Sequence, residues 1–181
     1  MKWYSKVAGA SAALAGVGVA VGYLLPKETS VECSIRIKAS PVTVFGLLND
    51  LEKQQLWSIW KQNDPTMEVT YGDKRQGEGA RYTWKGRHSG SGAITITRSE
   101  YEKRVDTFVD LGKQGTGRGY YSIKADNGSV LVTHGFSMFS GKNIFDRYYG
   151  LSMRFVLRRF FNQELATLKS VAEKMDQLQT H

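Results

Sequence analysis

The longest regular pattern of hydrophobic positions lies in the last third of the chain. Between Asn143 and Leu178 there is no proline, and Gly150 is the only glycine. In the second half of this stretch, apolar residues recur at alternating steps of four and three, at Phe161, Leu165, Leu168, Ala172 and Met175. This spacing is typical of a helix with one buried face. The stretch therefore predicts a single helix, roughly 50 Å long at a rise of about 1.5 Å per residue.

The first half of this predicted helix carries more apolar residues than one narrow stripe can hold. Most of them are aromatic: Phe145, Tyr148, Tyr149, Leu151, Phe155, Val156, Phe160 and Phe161. Such a broad apolar surface predicts either extensive cover by the rest of the protein or a wall of a cavity that takes a hydrophobic ligand.

Alternating apolar and polar residues predict a first strand from Thr29 to Ala39. From Met67 to Met138, short segments separated by glycine and polar residues have the spacing of an antiparallel sheet. Six strands are predicted there: about Glu68–Tyr71, Gly79–Lys85, Gly90–Arg98, Lys103–Leu111, Arg118–Ala125 and Ser129–Met138. The pair Asn127-Gly128 predicts a tight hairpin turn, because both residues tolerate positive φ. The pattern as a whole predicts an α+β protein with a curved antiparallel sheet of about seven strands.

Two short helical segments are predicted between the first and second strands. Ser40 is a favourable N-cap, and Pro41 suits the first helical position. Trp57 and Trp60 follow in a second short helix or turn, where a spacing of three places them on one face.

The N-terminal segment has a different composition from the rest. Met1 to Lys6 is short and basic, and Val7 to Leu25 contains no charged residue. Its length meets the ~20 residues that a bilayer requires, so residues 1–28 are interpreted as a membrane anchor with a transmembrane helix. A signal peptide cleaved near Ala20–Gly22 is the alternative. The preceding basic residues favour a single-pass protein whose domain, residues 29–181, lies on the non-cytoplasmic side of the membrane.

Charge and cysteine content exclude several classes of protein. The formal net charge is +8, which suits nucleic acid or an anionic membrane surface. The basic residues are scattered and form no nucleic-acid-binding motif, so nucleic-acid binding is not expected. The single cysteine, Cys33, excludes an internal disulfide and is interpreted as a half-buried strand thiol. His88, His134 and His181 are far apart and have no metal-binding spacing, so neither a metal nor another cofactor is expected.

Five segments carry a resemblance to a known family: Ser34–Phe45, Leu48–Asp50, Trp57–Trp60, Gly77–Gly86 and Gly90–Gly92. The first three resemble the opening, and the last two the next pair of strands, of the polyketide cyclase/dehydrase and lipid-transport family. This family is part of the START-like (SRPBCC) superfamily. With the C-terminal helix, the match covers about Thr29 to Met175. The resemblance implies the helix-grip fold, in which a curved sheet wraps around a long helix, and a shared pocket rather than a shared reaction.

The helix-grip fold implies a cavity between the sheet and the first half of the long helix, which would bind a hydrophobic small molecule or lipid. Strand parity places Tyr82 and Trp84 on one face, and His134 and Phe136 on one face. Val132-Thr133-His134 replaces the Val-Thr-Trp that is frequent in the family's last strand, so the wall is expected to differ there. The candidate ligand-binding residues are Trp57, Trp60, Tyr82, Trp84, Tyr120, His134, Phe136, Tyr148, Leu151, Ser152 and Phe155.

Three functions are compatible with this pattern. A membrane-anchored, non-catalytic binding domain is favoured, because no G-x-S-x-G motif is present and Cys33 has no recognisable catalytic partner. The alternative is a cyclase- or hydratase-type enzyme, in which His134 with Tyr82 or Tyr120 would be the acid–base set. A third function is contact with a partner protein, if aromatic residues fill the hollow. A buried histidine or carboxylate within reach of a ligand favours the enzyme, and a uniformly apolar cavity favours the carrier.

Overall fold

The computed structural model describes residues 17–112, 115–139 and 143–179. Seven strands in these ranges form one antiparallel sheet in the order β1-β7-β6-β5-β4-β3-β2. The strands are β1 (Glu28–Ile37), β2 (Glu68–Tyr71), β3 (Arg81–Gly86), β4 (Gly90–Glu100), β5 (Arg104–Asp110), β6 (Thr116–Asp126) and β7 (Ser129–Phe139). Every predicted strand is confirmed, and its ends differ from the prediction by two residues at most.

The helices also lie where the pattern placed them. They are α1 (Pro41–Leu48), a 3-10 turn at Lys53–Leu56, α2 (Trp60–Asn63) and α3 (Ile144–Gln179). At the start of α1, Ser40 Oγ accepts a hydrogen bond from the backbone N–H of Thr43 at 3.2 Å. Ser40 is therefore the N-cap, as predicted, and Pro41 follows it in the first turn. The long C-terminal helix is confirmed as α3.

Two local features shape the sheet. Between β6 and β7, Asn127 and Gly128 have φ values of 45° and 79°, which is the left-handed conformation that the hairpin requires. Between β4 and β5, the pairing register shifts between Ile96 and Arg98. A bulge of this kind increases the local twist and bends the strand. Helix α3 packs against the inner face of this sheet.

The second half of α3 closes the hydrophobic core. Phe161, Leu165, Leu168 and Ala172 are all buried and belong to one cluster with the inner face of the sheet and with α1. Met175 lies half-buried at the edge of this cluster. The predicted apolar stripe is thus confirmed as the buried face of the helix.

Cys33 is more buried than the pattern indicated. It lies on the inner side of β1 and is 7% exposed, and its Sγ is 3.8 Å from the backbone carbonyl oxygen of Arg158 on α3. Burial raises the pKa of the Cys33 thiol. Because the thiolate is the reactive form of cysteine, this environment favours an inert, structural residue.

Helical residues 17–24 pack against the start of α3, where Ile144 and Tyr148 lie close to Gly22. The Arg147 Nη1 donates a hydrogen bond to the carbonyl oxygen of Tyr23 at 2.7 Å, and lies 3.4 Å and 3.3 Å from those of Gly22 and Leu25. The last carbonyl groups of a helix have no partner within the helix. Arg147, which is itself buried, therefore caps the C-terminal end of this helix and attaches it to α3.

The predicted transmembrane helix, residues 7–25, is described only in part. Residues 7–16 lie outside the described residues. Within the part of the chain that the structure describes, no helix is both long enough and apolar enough to cross a membrane.

Candidate functional site

A cavity of about 560 Å³ lies between the inner face of the sheet and the first half of α3. Strands β3 to β7 supply most of its wall, and the segment around the 3-10 turn and α2 supplies two tryptophans. The wall consists mainly of aromatic and aliphatic side chains. Because these side chains leave the hollow open, the structure does not support a domain whose hollow is filled by its own aromatic residues.

Six of the predicted ligand-binding residues line this cavity: Trp57, Trp60, Tyr82, Trp84, His134 and Phe136. Tyr82 and Trp84 lie on the inner face of the sheet, and so do His134 and Phe136, so each pair shares one face as strand parity predicted. The Trp57 indole N–H donates a hydrogen bond to the backbone carbonyl of Leu47 at 3.1 Å, which fixes its ring. The Trp60 ring lies 4.3 Å from the ring of Phe160 on α3, measured between centroids. The first contact ties this segment to α1, and the second connects it to the long helix at one side of the cavity.

Two glycines make room for the aromatic wall. Gly92 pairs with Trp84 across β4 and β3, and a Cβ at Gly92 would lie 2.4 Å from an atom of the Trp84 ring. A Cβ at Gly117 would lie 2.3 Å from Phe136 Cζ. Real Cβ atoms do not approach other atoms so closely, so glycine at each position allows a ring to lie flat across the neighbouring strand.

The other five predicted residues do not line the cavity. Tyr120 lies on the opposite face of the sheet, where its hydroxyl donates a hydrogen bond to the Glu32 carboxylate. Tyr148 contacts helical residues 17–24 instead, since its hydroxyl donates a hydrogen bond to the carbonyl oxygen of Gly18 at 2.6 Å. The remaining three lie on exposed sides of α3: Leu151, Ser152 and Phe155.

The face of α3 that borders the cavity is a different one. It is formed by Asp146, Tyr149, Gly150, Met153 and Leu157. These positions continue the buried stripe of the second half backwards from Phe161, again at steps of three and four. The sequence therefore indicates the cavity-facing side of α3 through the spacing of this stripe. Aromatic character alone instead predicts Phe155, which is exposed.

A carboxyl group that the sequence analysis did not identify lies at the floor of the cavity. Glu164 is 4% exposed and its Oε2 lies 3.9 Å from Nδ1 of His134, which is 5% exposed. The Ser58 hydroxyl donates a hydrogen bond to Glu164 Oε1 at 3.4 Å. The imidazole stacks on the Tyr121 ring at 4.2 Å and an interplanar angle of 22°. The cavity is therefore not uniformly apolar.

Burial controls the protonation of this pair. Removal from water lowers the pKa of His134 to about 3 and raises the pKa of Glu164 to about 7. At neutral pH the imidazole is therefore uncharged, and a large fraction of Glu164 is protonated. Burial also raises the pKa values of the neighbouring Tyr82 and Tyr121. The floor of the cavity thus holds groups that can donate and accept hydrogen bonds with little net charge.

These positions change the predicted acid–base set. Tyr120 is separated from His134 by the sheet, so it cannot act with it, and Tyr121 is the tyrosine that contacts the imidazole. Tyr82 lines the same cavity. Within the described ranges, no group of three histidine, cysteine, aspartate or glutamate side chains could hold a metal ion.

Solved structures share this fold at low sequence identity. The Aha1 dimer from Colwellia psychrerythraea has a TM-score of 0.57 and 16% identity, covering 80% of this chain and 96% of that chain. CalU16 from Micromonospora echinospora has a TM-score of 0.53 and 14% identity, covering 77% of this chain and 71% of CalU16. The di-domain ARO/CYC StfQ from the steffimycin biosynthetic pathway has a TM-score of 0.59 and 11% identity, covering 82% of this chain and 51% of StfQ. No protein-family model and no curated protein matches the sequence.

The fold and the cavity define a helix-grip domain, in which an antiparallel sheet and a long C-terminal helix enclose an internal site. The helix-grip fold that the resemblance implied is confirmed, since the solved structures share it.

Proposed function

We propose that this domain binds a neutral hydrophobic small molecule or lipid in the cavity between the sheet and α3. The cavity itself carries the proposal, because an open internal volume of about 560 Å³ with largely aromatic and aliphatic walls is the usual form of a small-molecule site. Burial of apolar ligand surface stabilises a complex by about 25 cal/mol per Å². The walls can therefore supply affinity without any catalytic group.

The charges around the cavity disfavour a ligand that buries an anionic group. Neither lysine nor arginine occurs among the described residues that line it, whereas two acidic residues do, Asp146 and Glu164. Burial of a charge is costly unless a partner of opposite sign is present. A carboxylate or phosphate inside the cavity would have no such partner, so an anionic head group would have to remain outside.

Titration of the full-length protein with a neutral fluorescent polyaromatic probe tests the proposal. Saturable binding is expected, and Val109→Trp should weaken it by about tenfold or more, equivalent to 1.4 kcal/mol. Val109 is a half-buried residue of the cavity wall, so the larger ring would occupy space that the probe needs. Phe108→Trp is the matched control, because Phe108 is the next residue of β5 and is exposed on the other face.

Two results would contradict this function. One is the absence of saturable binding to the wild-type protein. The other is an equal loss of affinity in Val109→Trp and Phe108→Trp while circular dichroism shows both variants folded, since a loss from the outer face would mean that the probe does not occupy the cavity. Ser152→Trp, on the exposed side of α3, provides a second control and should retain wild-type affinity.

The proposal includes attachment to a membrane through the N-terminal segment, with the domain on the non-cytoplasmic side. A group of exposed apolar side chains near the start of α3 supports it: Phe139, Phe145, Tyr149, Phe155 and Val156. Of these, Phe139 and Tyr149 also line the cavity, so the exposed group borders its opening. Exposed apolar patches of this kind mark contacts with membranes or proteins. A ligand could then pass between the bilayer and the cavity without crossing water.

Fractionation of cells that produce the full-length protein tests the attachment. The protein is expected in the membrane pellet after an alkaline carbonate wash, together with an integral membrane marker and apart from a soluble marker. A mature protein that begins near Tyr23 and is recovered in the soluble fraction would contradict the anchor and support the cleaved signal peptide.

A second candidate function is an enzyme of cyclase or hydratase type that uses the same cavity. The buried Glu164–His134 pair favours it, because a carboxyl group and an imidazole in an apolar site are the groups that general acid–base catalysis uses. StfQ, which shares the fold, is an ARO/CYC by name. Mass spectrometry of the bound molecule after prolonged incubation separates the two functions, since a carrier returns its ligand unchanged and an enzyme converts it.

A further inference from the structure

Two polar groups at the floor of the cavity face each other without a hydrogen bond. The 3.9 Å between His134 Nδ1 and Glu164 Oε2 exceeds hydrogen-bond distance. Among the described residues, no hydrogen-bond partner is within reach of His134 Nδ1. Buried polar atoms in folded proteins are normally satisfied, so an exception calls for an explanation.

The surrounding contacts hold the two groups in place. The hydrogen bond from Ser58 occupies Oε1 of Glu164 at 3.4 Å, and Oε2 is the oxygen nearer to His134. The imidazole is held between the rings of Tyr121 and Phe161, each with a centroid 4.2 Å away. Both groups therefore have fixed orientations and border the space that a ligand would occupy.

One oxygen atom fits between the two groups. An oxygen about 2.8 Å from both Nδ1 and Oε2, an ordinary hydrogen-bond length, would lie about 2 Å off the line that joins them. A hydroxyl group suits this position, because the same oxygen donates one hydrogen bond and accepts another. A hydroxyl can satisfy both groups in either tautomer of the neutral imidazole. It donates to an unprotonated Nδ1 and accepts from the protonated Glu164 carboxyl, or it accepts from Nδ1–H and donates to Oε2.

Other polar groups fit the pair less well. A carbonyl or ether oxygen only accepts, so it would satisfy both groups in one tautomer of the imidazole alone, the one in which Nδ1 carries the proton. An ammonium group only donates, so it would require the ionised form of Glu164, which burial disfavours. A carboxylate would lie beside Glu164 in a cavity whose described wall contains neither lysine nor arginine.

We propose that the ligand is a neutral hydrophobic molecule with a hydroxyl group, of the phenol, sterol or long-chain alcohol class, and that Glu164 and His134 bind this hydroxyl. This inference rests on the proposed function and specifies the polar end of the ligand. The aromatic wall binds the hydrocarbon part, and the pair at the floor selects for the hydroxyl.

Isothermal titration of the full-length protein with naphthol, methoxynaphthalene and naphthoate tests the inference. The three probes share one hydrocarbon frame. Naphthol carries a hydroxyl group, methoxynaphthalene an ether oxygen that only accepts hydrogen bonds, and naphthoate a carboxylate. The wild-type protein should bind naphthol about tenfold or more tightly than either of the others, because naphthol alone satisfies both groups in either tautomer of His134. His134→Phe and Glu164→Leu should each reduce this preference to less than about threefold while retaining the affinity for methoxynaphthalene.

Tyr120→Phe is the matched control, because it removes a hydroxyl from the same sheet on the face opposite the cavity, and it should retain the full preference. Equal affinity of the wild-type protein for naphthol and methoxynaphthalene would overturn the inference and leave the proposed function intact. Failure of all three probes to bind would contradict the proposed function itself. Because the comparison of probes uses the wild-type protein, the test does not depend on the folding of a variant.

Discussion

Replacement of Leu168 by alanine is expected to lower the free energy of unfolding by about 2–5 kcal/mol, the usual range for a buried leucine. Leu168 is completely buried, in the cluster that joins the second half of α3 to the sheet and to α1. The substitution removes apolar contacts and leaves a cavity that rigid neighbours fill only in part. Leu165→Ala, at 1% exposure, should fall in the same range. Chemical denaturation of the full-length protein gives both values.

Leu178→Ala provides the control for Leu168→Ala. Leu178 is a leucine of the same helix, but its side chain is 72% exposed. Its replacement should change the free energy of unfolding by less than about 0.5 kcal/mol, as is common for surface positions. If Leu168→Ala also changes the free energy of unfolding by less than about 0.5 kcal/mol, α3 packs on the sheet through another face.

The fold was predictable because its signals are local. Each strand is a short alternating segment bounded by glycine or polar residues, and Asn127-Gly128 specifies its turn through backbone conformation alone. The cap of α1 needs only Ser40 and the following turn. The second half of α3 packs on one surface, so a single periodic stripe describes it. In all these cases, the residues that determine the structure are close together in the chain.

The cavity wall on α3 was harder to predict because the first half of that helix contacts two surfaces. One side borders the cavity through Met153 and Leu157. Another side packs against the helix at 17–24, where Tyr148 contacts Gly18 and Arg147 caps the helix end. Apolar residues therefore occur on more than one side, and local composition does not separate the two contacts. The cavity-facing side is distinguished only by its alignment with the buried stripe in the second half of the helix.

The polar pair was missed for a different reason. His134 was predicted to face the cavity from strand parity, and it does. Glu164, in contrast, looks like an ordinary solvated residue in a helix that contains many charged side chains. Its position three residues after Phe161 and four before Leu168 places it within the buried stripe. A charged residue that falls on the buried face of an amphipathic helix is thus the sequence signal for a buried carboxyl group.

Glu164→Gln is expected to change the pH dependence of stability. The folded protein has a Glu164 pKa of about 7 against an ordinary 4.5. A raised pKa means that the carboxyl group favours folding most at pH values below 4.5, and that this contribution is lost as the pH rises through 7. Between about pH 5 and pH 8.5, the wild-type protein should lose about 2–3 kcal/mol from this group. Glutamine does not titrate, so the variant should lose none of it.

The measured quantity is the difference between variant and wild-type free energies of unfolding at the two pH values. The groups that face Glu164 are Ser58 on the segment before α2, Tyr82 on β3, Tyr121 on β6 and His134 on β7. Burial lowers the pKa of His134, which favours folding above pH 6.5 and loses that contribution as the pH falls towards 3. His134 is present in both proteins, so its contribution largely cancels in the difference.

Glu68→Gln controls for the loss of one carboxyl group, because Glu68 is an exposed residue of β2. The variant Glu164→Gln should gain stability relative to the wild-type protein as the pH rises, whereas Glu68→Gln should not. If the difference for Glu164→Gln is the same at both pH values, the carboxyl group titrates as it does in water. Glu164 would then be ionised at neutral pH and could not donate a hydrogen bond to a hydroxyl of the ligand.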